Sequence, residues 1–383
     1  MTEKEHLSID HLVNRYVAKL GKYNAGLSIE GLKARFQVDR VAKLGSNENP
    51  FPTSSSVMKA LSRAGDLAHY PDANCSLLRK KIADKLMVAE ESLVFGNGSE
   101  DLISIISRAL INEGDKVMTI VPSFGLHILY PTACGAKMVI APMTAQLEFD
   151  IKRITSLLRS EKPKLFFIVS PSNPVGCSLS QDDVNDILAN VSEQTLLVFD
   201  EAYYEYAQGE LDYPDVLALL KASGKPFVLL RTLSKAYSLA GLRIGYGVFY
   251  PVALAEYMNK VRTPFNVNRQ AQVAAIAALD DDDHLGKTIH WNHIARKKMQ
   301  QDLKRLGVSP YESKGNFLFF STSWLATDLA DELLKFGVIV KPWMEPGYEY
   351  FVRVSIGKAE DNQLFITSLA SLLGRTALSH VNQ

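Results

Sequence analysis

The sequence predicts an α/β protein: a large domain with a mostly parallel, seven-stranded sheet sandwiched by helices, followed by a smaller α+β C-terminal domain. Three observations carry this expectation. Between residues 53 and 265, seven short apolar runs alternate with helix-like stretches, and such alternation builds a sheet whose crossover helices cover both faces. After Pro264 the alternation gives way to long polar helical stretches with isolated apolar runs between them. The length, 383 residues, exceeds what one compact core ordinarily serves, so one large and one smaller domain are expected.

Taken in order, residues 1–52 read as an N-terminal arm that packs with the small domain and the pocket. Leu7, Ile9, Leu12, Val13, Tyr16, Val17 and Leu20 recur at helical spacing with Ser8 as a possible cap, so the arm is expected to open on an amphipathic helix. The apolar stretch Val41–Leu44 and the proline-stiffened segment Gly45-Ser-Asn-Glu-Asn-Pro-Phe-Pro52 follow. In the large domain, 53–265, the strands are expected at Leu93–Phe95, Lys116–Val121, Met138–Ala141, Leu165–Val169, Leu196–Phe199, Phe227–Leu230 and Ile244–Phe249. Helices are expected at Asp101–Ile111, Ile151–Arg159 and Asp182–Ala189, the last with a capping box formed by Ser180 and Asp183. The small domain, 266–383, is expected to hold helices at Gln270–Leu279, up to Leu306, at Leu325–Phe336 and at Glu360–Leu373, with strands at Phe317–Phe320, Val338–Val340 and Tyr350–Ser355.

Composition narrows the function classes. Lys plus Arg and Asp plus Glu number 42 each, so no basic field draws nucleic acid and small-molecule binding fits better. Cys75, Cys134 and Cys177 are far apart and odd in number, which points to reduced thiols in a cytoplasmic protein rather than a disulfide framework or structural zinc. No apolar run approaches a membrane span and the N-terminus carries no apolar signal core. His284, His290 and His293 lie on a polar helix and read as a solvated face, and no metal site is expected.

In sheets of this kind ligands bind beyond the carboxyl ends of the strands, so the residues that follow each strand carry the functional reading. Gly96-Asn-Gly-Ser-Glu-Asp101 reads either as a capped turn or as an anion cradle at a helix start. Phe124 reads as core or as an aromatic platform. Asn173 sits in a loop stiffened by two prolines. Asp200 ends an apolar strand, so its carboxylate is partly desolvated and requires a partner, with the phenol of Tyr203 close by. Thr232, Ser234 and Lys235 follow the next strand, and Arg243 precedes the last. Together these residues match what pyridoxal 5′-phosphate requires: a lysine amine for the aldehyde, a carboxylate for the ring nitrogen, and hydroxyls, arginine and helix N–H groups for the phosphate.

Ser46-Asn-Glu-Asn-Pro50, Tyr70-Pro-Asp72, Ser170-Pro-Ser-Asn-Pro174, Phe199-Asp-Glu-Ala-Tyr203, Arg231–Gly247 and Phe351-Val-Arg-Val-Ser-Ile-Gly357 occur in this order. With these motifs the chain resembles the fold-type I pyridoxal-phosphate aminotransferases of class I/II, and among them the histidinol-phosphate aminotransferase family, from about Tyr23 to the final helix. The resemblance implies that Lys235 anchors the cofactor covalently and shuttles the proton, Asp200 pairs with the ring nitrogen, Tyr203 and Asn173 with the ring oxygen, and Phe124 stacks on the ring. Gly98, Ser99, Glu100, Thr232, Ser234 and Arg243 would surround the phosphate. Tyr70 would reach the cofactor of a partner subunit in a homodimer. Tyr23, Asn49, Lys341 and Arg353 would bind the substrates, an amino donor and a 2-oxo acid.

Three positions depart from the pattern. The family often has Tyr at the place of Phe124, and the loop usually written NPTG is here Asn173-Pro-Val-Gly176. Lys341 stands where many members carry an arginine that helps to hold the substrate phosphate, and lysine is a point charge rather than a bidentate fork. The reaction implied first is transamination of histidinol phosphate with 2-oxoglutarate. An aromatic amino-acid aminotransferase is the alternative, and a phosphothreonine-type decarboxylase a third. The sensing domain of a transcription regulator requires a fused DNA-binding domain, for which the arm is too short.

Overall fold

The structure is a computed structural model that describes residues 11–21, 28–65 and 67–374. Its strands, in chain order, are β1 (Ala42–Lys43), β2 (Leu93–Gly96), β3 (Lys116–Val121), β4 (Lys137–Pro142), β5 (Leu165–Val169), β6 (Leu196–Asp200), β7 (Phe227–Thr232), β8 (Gly245–Tyr250), β9 (Phe317–Ser321), β10 (Val338–Ile339), β11 (Lys341–Pro342) and β12 (Phe351–Ser355). The seven strands expected between residues 53 and 265 all form, within a residue or two of their ends.

β2 to β8 make one seven-stranded sheet in the order β2-β8-β7-β6-β5-β3-β4. The neighbours from β7 to β4 run parallel, while β8 is antiparallel to both β7 and β2. Every residue of β5, β6 and β7 is buried, and alternate side chains feed two separate cores. Phe166, Ile168, Leu197, Phe199, Phe227 and Leu229 join one cluster, and Leu165, Phe167, Leu196, Val198, Val228 and Leu230 the other. The two-residue period of a strand thus puts apolar surface on both faces, which is why these strands read as continuous apolar runs rather than alternating ones.

Helix Gln181–Asn190 begins with the expected reciprocal capping box of Ser180 and Asp183. Asp281, in the acidic run, caps helix Asp282–Arg305 by accepting from the His284 N–H. Helix Arg269–Leu279 packs on helices Ser55–Leu61 and Ser76–Leu86, with Ala271, Ala274, Ala275 and Ala278 in the first core.

A third core lies between the three-stranded sheet β11-β12-β9 and helices Asp282–Arg305, Ala326–Lys335 and Ala359–Leu372. The strand expected at Val338–Val340 forms as β10, and a second short strand, β11, follows it directly. β10 pairs in parallel with β1, and β11 pairs antiparallel with β12, so the chain changes partners at Val340 and draws the arm segment Ala42–Lys43 against the third core.

The helix expected over Leu7–Leu20 is corrected for its described part. Residues 11–20 run as turns with a 3-10 segment at Val17–Lys19 and no buried residue. An amphipathic segment with no surface to cover its apolar stripe gains too little from its own hydrogen bonds to stay helical. Residues 7–10 of that expectation lie outside the described residues. Among the described residues no helix is long and apolar enough to cross a membrane.

Candidate active site

A cavity of about 670 Å³ opens where the carboxyl ends of β2, β3, β5, β6 and β7 meet the segments around Lys341 and Arg353. The sequence-predicted residues that line it fall into three groups.

The first group can hold an anion. Because β8 runs antiparallel, its amino end lies beside the carboxyl ends of β2 and β7: Gly245 pairs with Gly96 and with Thr232. Arg243 therefore arrives at the same edge as Gly98, Ser99, Thr232 and Ser234. Helix Ser99–Leu110 starts there on Gly98 with no side-chain cap, so its first N–H groups and the positive end of its dipole face the cavity edge. The approach is close. A Cβ on Gly245 would lie 2.3 Å from the Ser99 nitrogen, and one on Gly98, whose φ is +82°, 2.5 Å from Arg243 Nη2. Thr232 Oγ1 lies 3.0 Å from Ser234 Oγ, and Arg243 is 3.6 Å from the Glu100 carboxylate. Backbone donors, hydroxyls and a guanidinium converging on glycine-cleared space fit a phosphate ester.

The second group surrounds the amine of Lys235. Its Nζ donates to the Ser46 carbonyl at 3.2 Å and lies 5.9 Å from the Tyr203 ring centre. Burial, reinforced by the Arg353 and Arg243 cations and opposed by Glu48 and Asp200, pushes its pKa from 10.5 down to about 8. An amine poised near neutrality is nucleophilic and can serve as a base. Asp200, 3% exposed, accepts from the Ala202 N–H at 3.0 Å and presents its other oxygen 3.3 Å from His127 Nε2. His127 is fully buried, stacked on Phe167 and edge-on to Phe124. A buried carboxylate backed by an imidazole suits a protonated ring nitrogen better than a neutral group.

The third group is cationic. Lys341 and Arg353 stand opposite one another across β11 and β12. Arg353 donates to Asn173 Oδ1 and to the Gly45 carbonyl, each at 2.6 Å, which orients the Asn173 amide. Burial, with Arg353 adding to it, lowers the pKa of Lys341. A buried guanidinium and a half-buried ammonium side by side suit a doubly anionic small molecule.

Three predicted residues stand elsewhere. Tyr70 is 78% exposed and stacks on the exposed Phe265 at 4.6 Å. Asn49 is not among the cavity-lining residues; it donates to the Ala236 carbonyl at 2.9 Å and accepts from the Phe51 N–H, bracing the turn after Lys235. Tyr23 lies outside the described residues. Its nearest described neighbour in sequence on the cavity wall is Gly21.

Several further residues shape the site. Asn47, in the same motif as Asn49, donates to the Tyr203 hydroxyl at 2.9 Å and accepts from Ser355 Oγ. His127 falls three residues after Phe124 within an apolar helix start, a spacing that brings the two side chains together. Trp343 and Glu345 also line the cavity, and nothing in their local pattern marked them.

The sequence model of the aminotransferase class I and II family matches residues 39–369. The chain is 42% identical over 358 residues to histidinol-phosphate aminotransferase 3 of Rhizobium meliloti (strain 1021), covering 93% of this chain and 96% of that one. It is also 42% identical to histidinol-phosphate aminotransferase 1 of Mesorhizobium japonicum, covering 94% and 98%. Among solved structures, the histidinol-phosphate aminotransferase of Sinorhizobium meliloti in complex with pyridoxal-5′-phosphate superposes with a TM-score of 0.85 at 25% identity, over 94% of this chain and 97% of that one. An aspartate aminotransferase of Thermus thermophilus shares the fold at a TM-score of 0.80 and 22% identity, over 94% and 99%.

Proposed function

The chain belongs to the class I and II aminotransferases, and on that premise we propose that it is a pyridoxal-phosphate-dependent transaminase. Its amino donor is histidinol phosphate and its acceptor 2-oxoglutarate, a step of histidine biosynthesis. The observation that carries this reading is Lys235, an amine with its pKa lowered to about 8, lying in one cavity with Asp200, Tyr203 and the anion cradle. The same reading makes the enzyme a cytoplasmic homodimer, and the exposed stack of Tyr70 on Phe265 supports an interface where Tyr70 meets the partner's cofactor. The division into an arm, 1–52, a large domain, 53–265, and a small domain, 266–383, is part of the proposal.

When bound, the cofactor supplies an electron sink for the bonds at the donor's α-carbon. The cradle of Ser99, Ser234, Thr232 and Arg243 with the helix N–H groups would hold its phosphate. Asp200, backed by His127, would keep a proton on its ring nitrogen. Phe124 would press on the ring face, and Tyr203, oriented by Asn47, and Asn173, oriented by Arg353, would donate to the ring oxygen. Arg353 would clamp the carboxylate of glutamate bidentately, and Lys341 would neutralise the donor phosphate. Lys235 Nζ would take the proton from the donor's α-carbon.

The purified protein should absorb in the visible, and Lys235→Ala should lose that absorption; a colourless wild type loaded with the cofactor sinks the proposal. Single-turnover mixing with histidinol phosphate, phenylalanine, tyrosine and glutamate then ranks the donors. Lys341 in place of a guanidinium favours an aromatic amino-acid donor as the second reading, and conversion by phenylalanine but not by histidinol phosphate would establish it.

A further inference from the structure

One stretch of the cavity wall, Lys341 to Pro346, carries an arrangement that the steps above do not use. Trp343 is 8% exposed. Its backbone N–H donates to the Phe351 carbonyl at 2.9 Å, and its ring meets Phe319 edge-on at 5.8 Å with the Arg353 guanidinium 5.9 Å from its centre. The indole N–H donates to Glu345 Oε2 at 2.6 Å. The same oxygen accepts from the Ser123 backbone N–H at 3.1 Å, and Ser123 adjoins Phe124 on the other side of the cavity.

Glu345 therefore ties the wall that carries Trp343 to the loop that carries Phe124. The indole's only donor is consumed by the protein, so what Trp343 can offer a ligand is an aromatic surface in one fixed orientation. Glu345 Oε1 is buried without a partner, and burial raises the pKa of its carboxyl. A carboxylate held at such a cost of desolvation is a poor stabiliser of the fold and a good strut for a site that needs its walls fixed.

With the anionic ends of a substrate drawn to Lys341 and Arg353, a side-chain ring on the same molecule falls to the wall next to them. The geometry points to Trp343 as the residue against which the planar ring of the amino donor lies, and to Glu345 as the positioning residue that fixes it. This inference rests on the transaminase reading and names the part of the donor that this wall recognises.

The test uses holoenzyme carrying Trp343→Leu, Trp343→Phe, Glu345→Leu or Glu345→Gln. Single-turnover half-reactions are compared for histidinol phosphate, which has a ring, and glutamate, which has none. Trp343→Leu should lower the ratio of the two specificity constants on the order of tenfold, mostly through the apparent KM of the ring donor. Trp343→Phe, which keeps the packing on Phe319, should lower it less. Glu345→Leu should reproduce the loss and add nothing to Trp343→Leu, while Glu345→Gln, whose amide oxygen still accepts from both N–H groups, should restore most of it. Competitive inhibition by an imidazole-bearing alkyl phosphate, against one without a ring, should follow the same order.

An unchanged ratio in Trp343→Leu overturns the inference, and so does an equal loss for both donors in every variant, which would mean a merely structural role. If the wild type converts an aromatic amino acid and not histidinol phosphate, the donor assignment fails by itself. The ring test then runs on that amino acid against glutamate with the same two outcomes.

Discussion

Lys235 should destabilise the protein that it serves. With the cofactor removed, its amine must be buried either charged or neutral, and the fold lowers its pKa from the ordinary 10.5 to about 8. At about 1.36 kcal/mol per pH unit, the folded state disfavours the ammonium by roughly 3 kcal/mol. The sign follows from proton counts. Between pH 8 and 10.5 the unfolded chain binds more protons than the folded one, so stability rises with pH across that window. Below about 8 the lysine is charged in both states and the full penalty applies; above 10.5 it is neutral in both and the penalty is gone. Lys235→Met removes the charge but also the hydrogen bond to the Ser46 carbonyl, worth about 1 kcal/mol. The variant apoprotein should therefore be more stable than wild-type apoprotein by about 2 kcal/mol at pH 7, with the advantage narrowing as pH rises and reversing to a deficit of up to about 1 kcal/mol once the lysine is neutral in both states. Urea unfolding at equal protomer concentration, from pH 7 to 10.5, measures the difference, and other groups that titrate there cancel between the two proteins. A variant no more stable than wild type at pH 7, or a gap that does not narrow with pH, refutes the reasoning.

The sheet was legible in the sequence because strands buried on both faces leave a signal that no helix of this length would: four to six apolar residues bounded by turn formers. Its ligand edge was legible for the same reason, since Asp200 and Lys235 interrupt that signal at strand ends. What periodicity cannot carry is direction. Nothing in Ile244–Phe249 says that β8 runs antiparallel, yet that reversal brings Arg243 to Gly98. Loops carry no period either. Asn47 and Asn49 lie two residues apart in one motif, and only the folded loop turns Asn47 to Tyr203 and Asn49 to Ala236. The change of partner at Val340 depends on two different strands supplied from distant parts of the chain. His127 was the one omission with a local signal, a histidine inside an apolar helix start three residues from Phe124.

Two further outcomes follow from close contacts around β7 and β8. Gly245→Ala places a methyl 2.3 Å from the Ser99 backbone nitrogen, and backbone at a helix start cannot yield as a side-chain tip would. The cofactor should bind about 5- to 150-fold more weakly, about 1–3 kcal/mol, as measured by equilibrium dialysis; unchanged affinity would mean that the cradle tolerates the shift. Behind the strand, Arg231 gives Nε and Nη2 to Glu201 Oε2 at 2.9 and 2.8 Å, while the Tyr213 hydroxyl donates within reach of Glu201 Oε1 at 2.9 Å. Both partners are buried, and the pair's attraction is largely consumed in desolvating it. Glu201→Gln leaves a buried guanidinium without its counter-charge and should cost about 3–5 kcal/mol in urea unfolding. Glu201→Gln with Arg231→Met removes the stranded charge as well, so the double variant should recover much of that loss. If the single change costs under about 1 kcal/mol, the pair behaves as a solvated one and the reasoning fails.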